Sequence, residues 1–236
     1  LLPTPPDIAR LHGFGICLAT EGDVVAAGTP GYYHDGVRES GIVCLFDMKA
    51  GKEIAKLVAP GDGLKSEGNF GRAVAMQDGV VLVGATGRPG YPAPEGGPFI
   101  PAVQGAAYLF DAKTGKHLHT LLPDDREGEK TYFGFGRAVA LCEGSAIVGA
   151  PDAKAIYVFD VETGKQTSKI LSPDKAGGFG NMFAVHGDQL LVGSSNMAYS
   201  NHSKVVSVFN WKMAQRQAKF TPKLEKSGQF NRGDFF

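Results

Sequence analysis

The chain writes "FGRAVAMQDGVVLVGA" from Phe70 and, sixty-five residues later, "FGRAVALCEGSAIVGA" from Phe135. The same frame appears as "FGICLATEGDVVAAGT" from Phe14 and "FGNMFAVHGDQLLVGS" from Phe179. In all four copies a glycine follows the Phe by fourteen positions: Gly28, Gly84, Gly149 and Gly193. A second constant block lies downstream: "VCLFDMKAGKEIAKL", "AYLFDAKTGKHLHTL", "IYVFDVETGKQTSKI" and "VSVFNWKMAQRQAKF". There Asp47, Asp111, Asp160 and Asn210 each precede a landmark by four: Gly51, Gly115, Gly164 and, degenerate, Ala214. Pro60, Pro123, Pro173 and Pro222 close the units. Four copies in register commit the chain to one supersecondary structure used four times, and that must be settled before any single motif is read.

Each unit reads as four strands. "RAVAMQ" and "VVLVGA" are short apolar runs joined by "DG", a strong hairpin dipeptide, and the other copies turn at "EGD", "EGS" and "HGD". "AYLFD" and "KHLHTLL" flank a "DxxTGK" turn, where Asp caps and Gly tolerates positive φ. The first two strands are apolar on both faces, which predicts a position covered on two sides. The fourth carries Lys, His, Gln and Thr, as at a wetted edge. Ordering each residue costs about 1–2 kcal/mol, so one such meander is unstable alone and needs neighbours stacked on its faces. Radial stacking of four-stranded meanders is a β-propeller. The expectation is therefore an all-β chain of four-stranded antiparallel blades, with Phe14, Phe70, Phe135 and Phe179 buried equivalently and no helix longer than two turns in residues 12–222.

The Phe-Gly pair followed by "GTP" at 28–30, "GAT" at 84–86, "GAP" at 149–151 or "GSS" at 193–195 resembles the FG-GAP repeat. That repeat builds the propeller of integrin α-subunits and of many bacterial surface proteins. The resemblance spans essentially the whole chain and implies an extracellular or cell-surface setting. Calcium-binding members carry a "DxDxDG"-type loop between the first two strands, whereas this chain has short turns at 20–23, 77–79, 143–145 and 186–188. No metal is expected there, since one carboxylate does not replace a hydration shell.

The units divide the chain as one partial propeller: 1–11 ends a preceding blade, 12–68, 69–132, 133–177 and 178–229 are complete blades, and 230–236 starts another. "LLP" at 1–3 matches "LLP" at 121–123. Four complete blades and two stubs do not close a ring, so the expectation is part of a larger, seven-bladed propeller.

With 24 basic and 24 acidic residues and no basic run, the chain lacks the charge that phosphate neutralisation demands, which argues against a nucleic-acid partner. No apolar stretch approaches 18 residues, so no membrane span is expected. Cys17, Cys44 and Cys142 occupy unmatched repeat positions and read as small apolar residues. "GK" at 51–52, 115–116 and 164–165 lacks the earlier glycine and the following Ser or Thr of a phosphate loop, and reads as a turn. His117 and His119 read as pointing to one face of a strand, without a third ligand in register. There is no "GxSxG", no "HExxH" and no carboxylate pair outside the repeat, so neither catalytic residues nor a cofactor is expected.

In an up-down blade the loop from second to third strand and the link to the next blade leave from the same end. From the "GAP" glycine to the Asp, the four distances are 19, 27, 11 and 17 residues. The insertion 86–105, "TGRPGYPAPEGGPFIPAVQG", is rich in Gly, Pro and aromatics. Variable loops on a rigid scaffold are where function concentrates. Tyr32, Tyr33, Tyr91, Phe99, Tyr132 and Tyr199 lie in or beside them and are the candidate contact residues for a protein partner. The function expected is a non-enzymatic recognition or scaffold module; the alternative is a carbohydrate-binding propeller, with aromatic residues stacking on sugars. Asn201, in "NHS", is a candidate glycosylation site. "RGD" at 232–234 is the tripeptide that integrins read, here in a segment expected to be strand or lead-in loop.

Overall fold

The computed structural model describes residues 13–31, 41–60, 68–87, 104–125, 134–173, 177–194 and 205–221. These form sixteen strands and no helix, arranged as four separate antiparallel sheets of four consecutive strands each. The first sheet is β1 (Cys17–Glu21), β2 (Val24–Thr29), β3 (Ile42–Asp47) and β4 (Lys52–Leu57). The second is β5 (Phe70–Gln77), β6 (Val80–Ala85), β7 (Ala106–Asp111) and β8 (His117–Leu121). The third is β9 (Val139–Cys142), β10 (Ser145–Ala150), β11 (Ala155–Asp160) and β12 (Gln166–Leu171). The fourth is β13 (Met182–His186), β14 (Gln189–Ser194), β15 (Val205–Asn210) and β16 (Gln215–Phe220). Among the described residues no helix is long and apolar enough to cross a membrane.

Local chemistry fixes each turn. At Asp78-Gly79 and Glu143-Gly144 both central residues are left-handed, the mirror-image turn whose twist matches paired strands. The turn between third and fourth strands is held by one side-chain oxygen. Asp111 Oδ1 accepts from the Thr114 N–H at 2.7 Å and from the Thr114 hydroxyl at 2.7 Å. Asp160 does the same with Thr163, at 2.8 and 2.6 Å. Asp47 accepts from Ala50 N–H, and Asn210 from Met213 N–H. The landmark that follows is left-handed in every copy, including Ala214, where a side chain tolerates φ 52° because the rest of the turn demands it.

The sheets stack face on face in chain order, in a propeller-like arrangement that is not closed into a ring. Alternation along each strand sends one set of side chains forward and the other back. Behind the first sheet, Val43, Leu45 and Leu57 meet Phe70, Val81 and Phe110 of the second. Behind the second, Leu82, Leu109 and Leu121 meet Phe135, Val148 and Phe159 of the third. Behind the third, Ile147, Val158 and Ile170 meet Phe179, Leu190 and Phe209 of the fourth. The repeated Phe packs edge-on against the third-strand Phe of its own sheet, with ring centroids 5.6–6.3 Å apart for Phe14–Phe46, Phe70–Phe110, Phe135–Phe159 and Phe179–Phe209. Full burial of each such side chain stabilises by about 1.5–3 kcal/mol.

The two constant glycine landmarks touch one another across each seam. A Cβ on Gly84 would lie 2.0 Å from the Gly136 carbonyl oxygen, one on Gly149 2.0 Å from that of Gly180, and one on Gly28 2.3 Å from that of Gly71. The second-strand glycine of one sheet is thus the seat for the Phe-Gly backbone of the next, and any side chain there would force the sheets apart.

Two expectations need correction, and a third holds only for the inner sheets. The first strand is exposed where no described sheet faces it, Leu18 at 65% in the first sheet and Met182 at 64% in the fourth, whereas β5 and β9, with a sheet on either side, carry no exposed residue. First strands are sheet edges that pack across the seam against both the first and the second strand of the preceding sheet, β5 on β1 and β2 and β9 on β5 and β6, while the second and third strands carry the most buried side chains. Phe14 is only half-buried, unlike Phe70, Phe135 and Phe179, because the described residues place no sheet in front of the first. His117 and His119 do not share a face. The register slips between Leu109 and Phe110, so His117 stands opposite Phe110 and His119 opposite Leu109. The same slip recurs between third and fourth strands of every sheet.

Candidate functional site: the loop-bearing end of the sheets

The antiparallel register puts the start of each first strand, the end of the second, the start of the third and the end of the fourth at one end of the sheet. All segments of irregular length leave from that end. The other end carries only tight turns, and its polar groups are largely bonded within and between the sheets. Glu21 accepts from Asp78 N–H at 2.5 Å and Gly79 N–H at 2.8 Å in the next sheet. The His119 Nε2 lies 2.8 Å from the Glu162 carbonyl oxygen, which makes that nitrogen the donor. Trp211 Nε1 donates to the Gly187 carbonyl at 2.8 Å, Lys212 pairs with Glu143, and Asn210 Nδ2 donates to Asp188 at 2.9 Å. A cleft of about 360 Å³ between third and fourth sheets is bounded by Glu143, Ser145, Thr167 and Trp211, but the indole is 5% exposed and its N–H is already bonded.

At the loop-bearing end the residue after each Phe-Gly pair closes a turn. Ile16 N–H donates to Gly13, Arg72 to Asn69, Arg137 to Gly134 and Asn181 to Gly178, at 2.9–3.2 Å. These four positions are equivalent, and two adjacent ones carry arginine. Burial, followed by the Arg72 charge, lowers the Arg137 pKa, while Asp152 opposes both. Burial raises the Asp152 carboxyl above its ordinary 3.8, with Arg137 acting against it. Among the described residues no hydrogen bond or salt bridge engages either guanidinium. The tight link Pro151–Lys154, closed by Lys154 N–H on Pro151 at 3.0 Å, holds Asp152 in place.

The sequence expectation places contact at Tyr32, Tyr33, Tyr91, Phe99, Tyr132 and Tyr199, with Asn201 as glycosylation candidate and the tripeptide at 232–234. All lie outside the described residues. The strand ends that carry the segments 32–40, 88–103, 126–133 and 195–204 are described, and every one is at the loop-bearing end. Arg72 and Arg137 were absent from the sequence expectation because they sit inside a constant block. The signal was there: the residue after the Phe-Gly pair varies among Ile, Arg, Arg and Asn while the pair before it stays fixed.

Among the described residues no three His, Cys, Asp or Glu side chains converge as a metal site would require. No protein-family model matches the chain, and no curated protein matches it.

Proposed function

We propose that this chain is a recognition and scaffold module of the FG-GAP type, part of a seven-bladed propeller, which binds a protein through its loop-bearing end without catalysing a reaction. What carries the reading is the contrast between the two ends: one is uniform and internally bonded, the other gathers the variable segments and two arginines that no described residue holds by a hydrogen bond or salt bridge. Rigid sheets presenting variable loops suit recognition. An extracellular or cell-surface setting accompanies the proposal, since it comes with the repeat the motifs resemble.

The test is a deletion of residues 88–102, scored against a partner captured by in situ cross-linking and then purified. Weaker binding with unchanged thermal unfolding is expected, because a short link joins the same strand ends in the third sheet at 150–154. Unchanged affinity would move the contact elsewhere. Strong, selective signals on a glycan array would replace the protein reading with a carbohydrate one.

A further inference from the structure

We propose that Arg72 and Arg137 together form a two-guanidinium site that takes one carboxylate from an acidic segment of a protein partner. The inference rests on the reading of the loop-bearing end as the contact face and names the chemistry that end recognises. The two arginines occupy the same position in successive units, on β5 and just before β9, strands that lie against each other. Arg137 is exposed, Arg72 half-buried, and among the described residues no hydrogen bond or salt bridge holds either guanidinium.

Two neighbouring like charges with no bonded counter-ion among the described residues destabilise one another, and an anion placed between them removes that cost. The charges that act on Arg137 are Arg72 and Asp152. Among the described residues, two positive charges and one negative leave a local balance near +1, which a single carboxylate cancels. A phosphate, carrying close to two charges at neutral pH, would overshoot it. Guanidinium forks match carboxylate oxygens two at a time, so the pair also supplies geometry. The equivalent positions in the first and fourth units are Ile16 and Asn181, which confines the positive site to the two middle sheets.

The experiment uses a fluorescently labelled Gly-Glu-Asp-Glu-Gly peptide, its Gln/Asn counterpart, and inorganic phosphate as competitor, read by anisotropy at low salt. The acidic peptide should bind at least about tenfold more tightly than the amide one, the size expected for a charge-assisted hydrogen bond. Arg72→Gln and Arg137→Gln should each weaken binding by about tenfold, while Lys165→Gln at the turn end should not. Equal binding of the two peptides, or unaltered binding in the double variant, overturns the site. Phosphate that outcompetes the peptide at equal concentration overturns the carboxylate assignment. Thermal unfolding supplies the folding control: relieving like charge should leave the midpoint unchanged or higher, and a clear fall would make the arginines structural and sink the proposal. Because the contact face is tested separately by the 88–102 deletion, failure here leaves that reading standing.

Discussion

The back of the second sheet and the back of the fourth carry the same kind of residues in the same places, yet the described residues cover only one. Leu82, Ala107, Leu109 and Leu121 are inaccessible beneath the third sheet. Their register equivalents in the fourth sheet include Leu191 at 40% exposure, Val206 at 41% and Phe220 at 59%. The apolar pattern is therefore a property of the repeated unit, written whether or not the described chain places a sheet on top. A seam forms where such a face meets the next Phe-Gly pair, and both surfaces must be present for the energy to be realised.

The largest expected difference comes from truncating equivalent leucines. Leu82→Ala should cost about 2–5 kcal/mol through lost burial and a cavity between second and third sheets, whereas Leu191→Ala should change stability by less than about 0.5 kcal/mol. Urea unfolding followed by circular dichroism compares them. Equal losses would mean that the back of the fourth sheet is covered in solution by chain outside the described residues.

Next come the glycine seats. Gly84→Ala drives a Cβ into the Gly136 carbonyl and should cost about 1–3 kcal/mol, because backbone rather than a side chain has to move. Among the described residues Gly193→Ala meets only Met182, closest at its Cγ at 3.2 Å, a flexible neighbour in its own sheet, and should be tolerated. A tolerated Gly84→Ala would show that the seam is looser than its backbone contact implies.

Much of this was legible in the chain. Repetition gave the units, and apolar runs joined by turn dipeptides gave the strands; that the second-strand glycine seats the next Phe-Gly pair is visible only in the packed sheets. Burial of the first strand depends on a sheet lying on either side, which holds for β5 and β9 but not for the outer faces of β1 and β13, and the sequence of one unit does not show its neighbours. The His117 and His119 faces were misjudged because a one-residue slip leaves no mark on period-two counting, and a single slip reverses every side chain beyond it. The arginine pair was hidden because its meaning depends on β5 touching β9, a contact no local pattern encodes. The aromatic candidates at Tyr91 and Phe99 remain readings of the sequence alone.

The third–fourth strand turns give a smaller, pH-dependent contrast. The Thr114 hydroxyl, ahead of the backbone bonds, holds the Asp111 carboxyl below its ordinary 3.8, and the Thr163 hydroxyl does so for Asp160. Folded values below the unfolded one mean stability that is present above about pH 4 and lost as pH falls through the folded values. The fourth sheet uses Asn210, which does not titrate. Converting Asp111→Asn and Asp160→Asn together should flatten the fall in thermal midpoint between about pH 5 and 2. An unaltered pH profile would place the acid sensitivity outside these turns.

The smallest effect leaves stability untouched and reads the seams directly. Cys17 lies where the first and second sheets meet and donates through Sγ to the Gly71 carbonyl at 3.0 Å. Cys142 does the equivalent between third and fourth sheets, on Gly187 at 3.3 Å. Burial pushes the Cys17 thiol up to about 11, and burial followed by the Glu143 charge raises Cys142. Thiolate is the reactive form, so at pH 8 about one Cys17 in a thousand is ready to react. With the other two cysteines changed to alanine, each thiol becomes a reporter of its own seam. Iodoacetamide labelling of Cys17 at pH 8 should be slow in the folded chain and fast in urea. It should accelerate in a Leu45→Ala background, which loosens the first seam, and stay slow with Leu191→Ala. Rapid labelling of Cys17 in the unaltered chain would mean that the first seam opens without unfolding, and that the covered and uncovered faces differ less in solution than their burial implies.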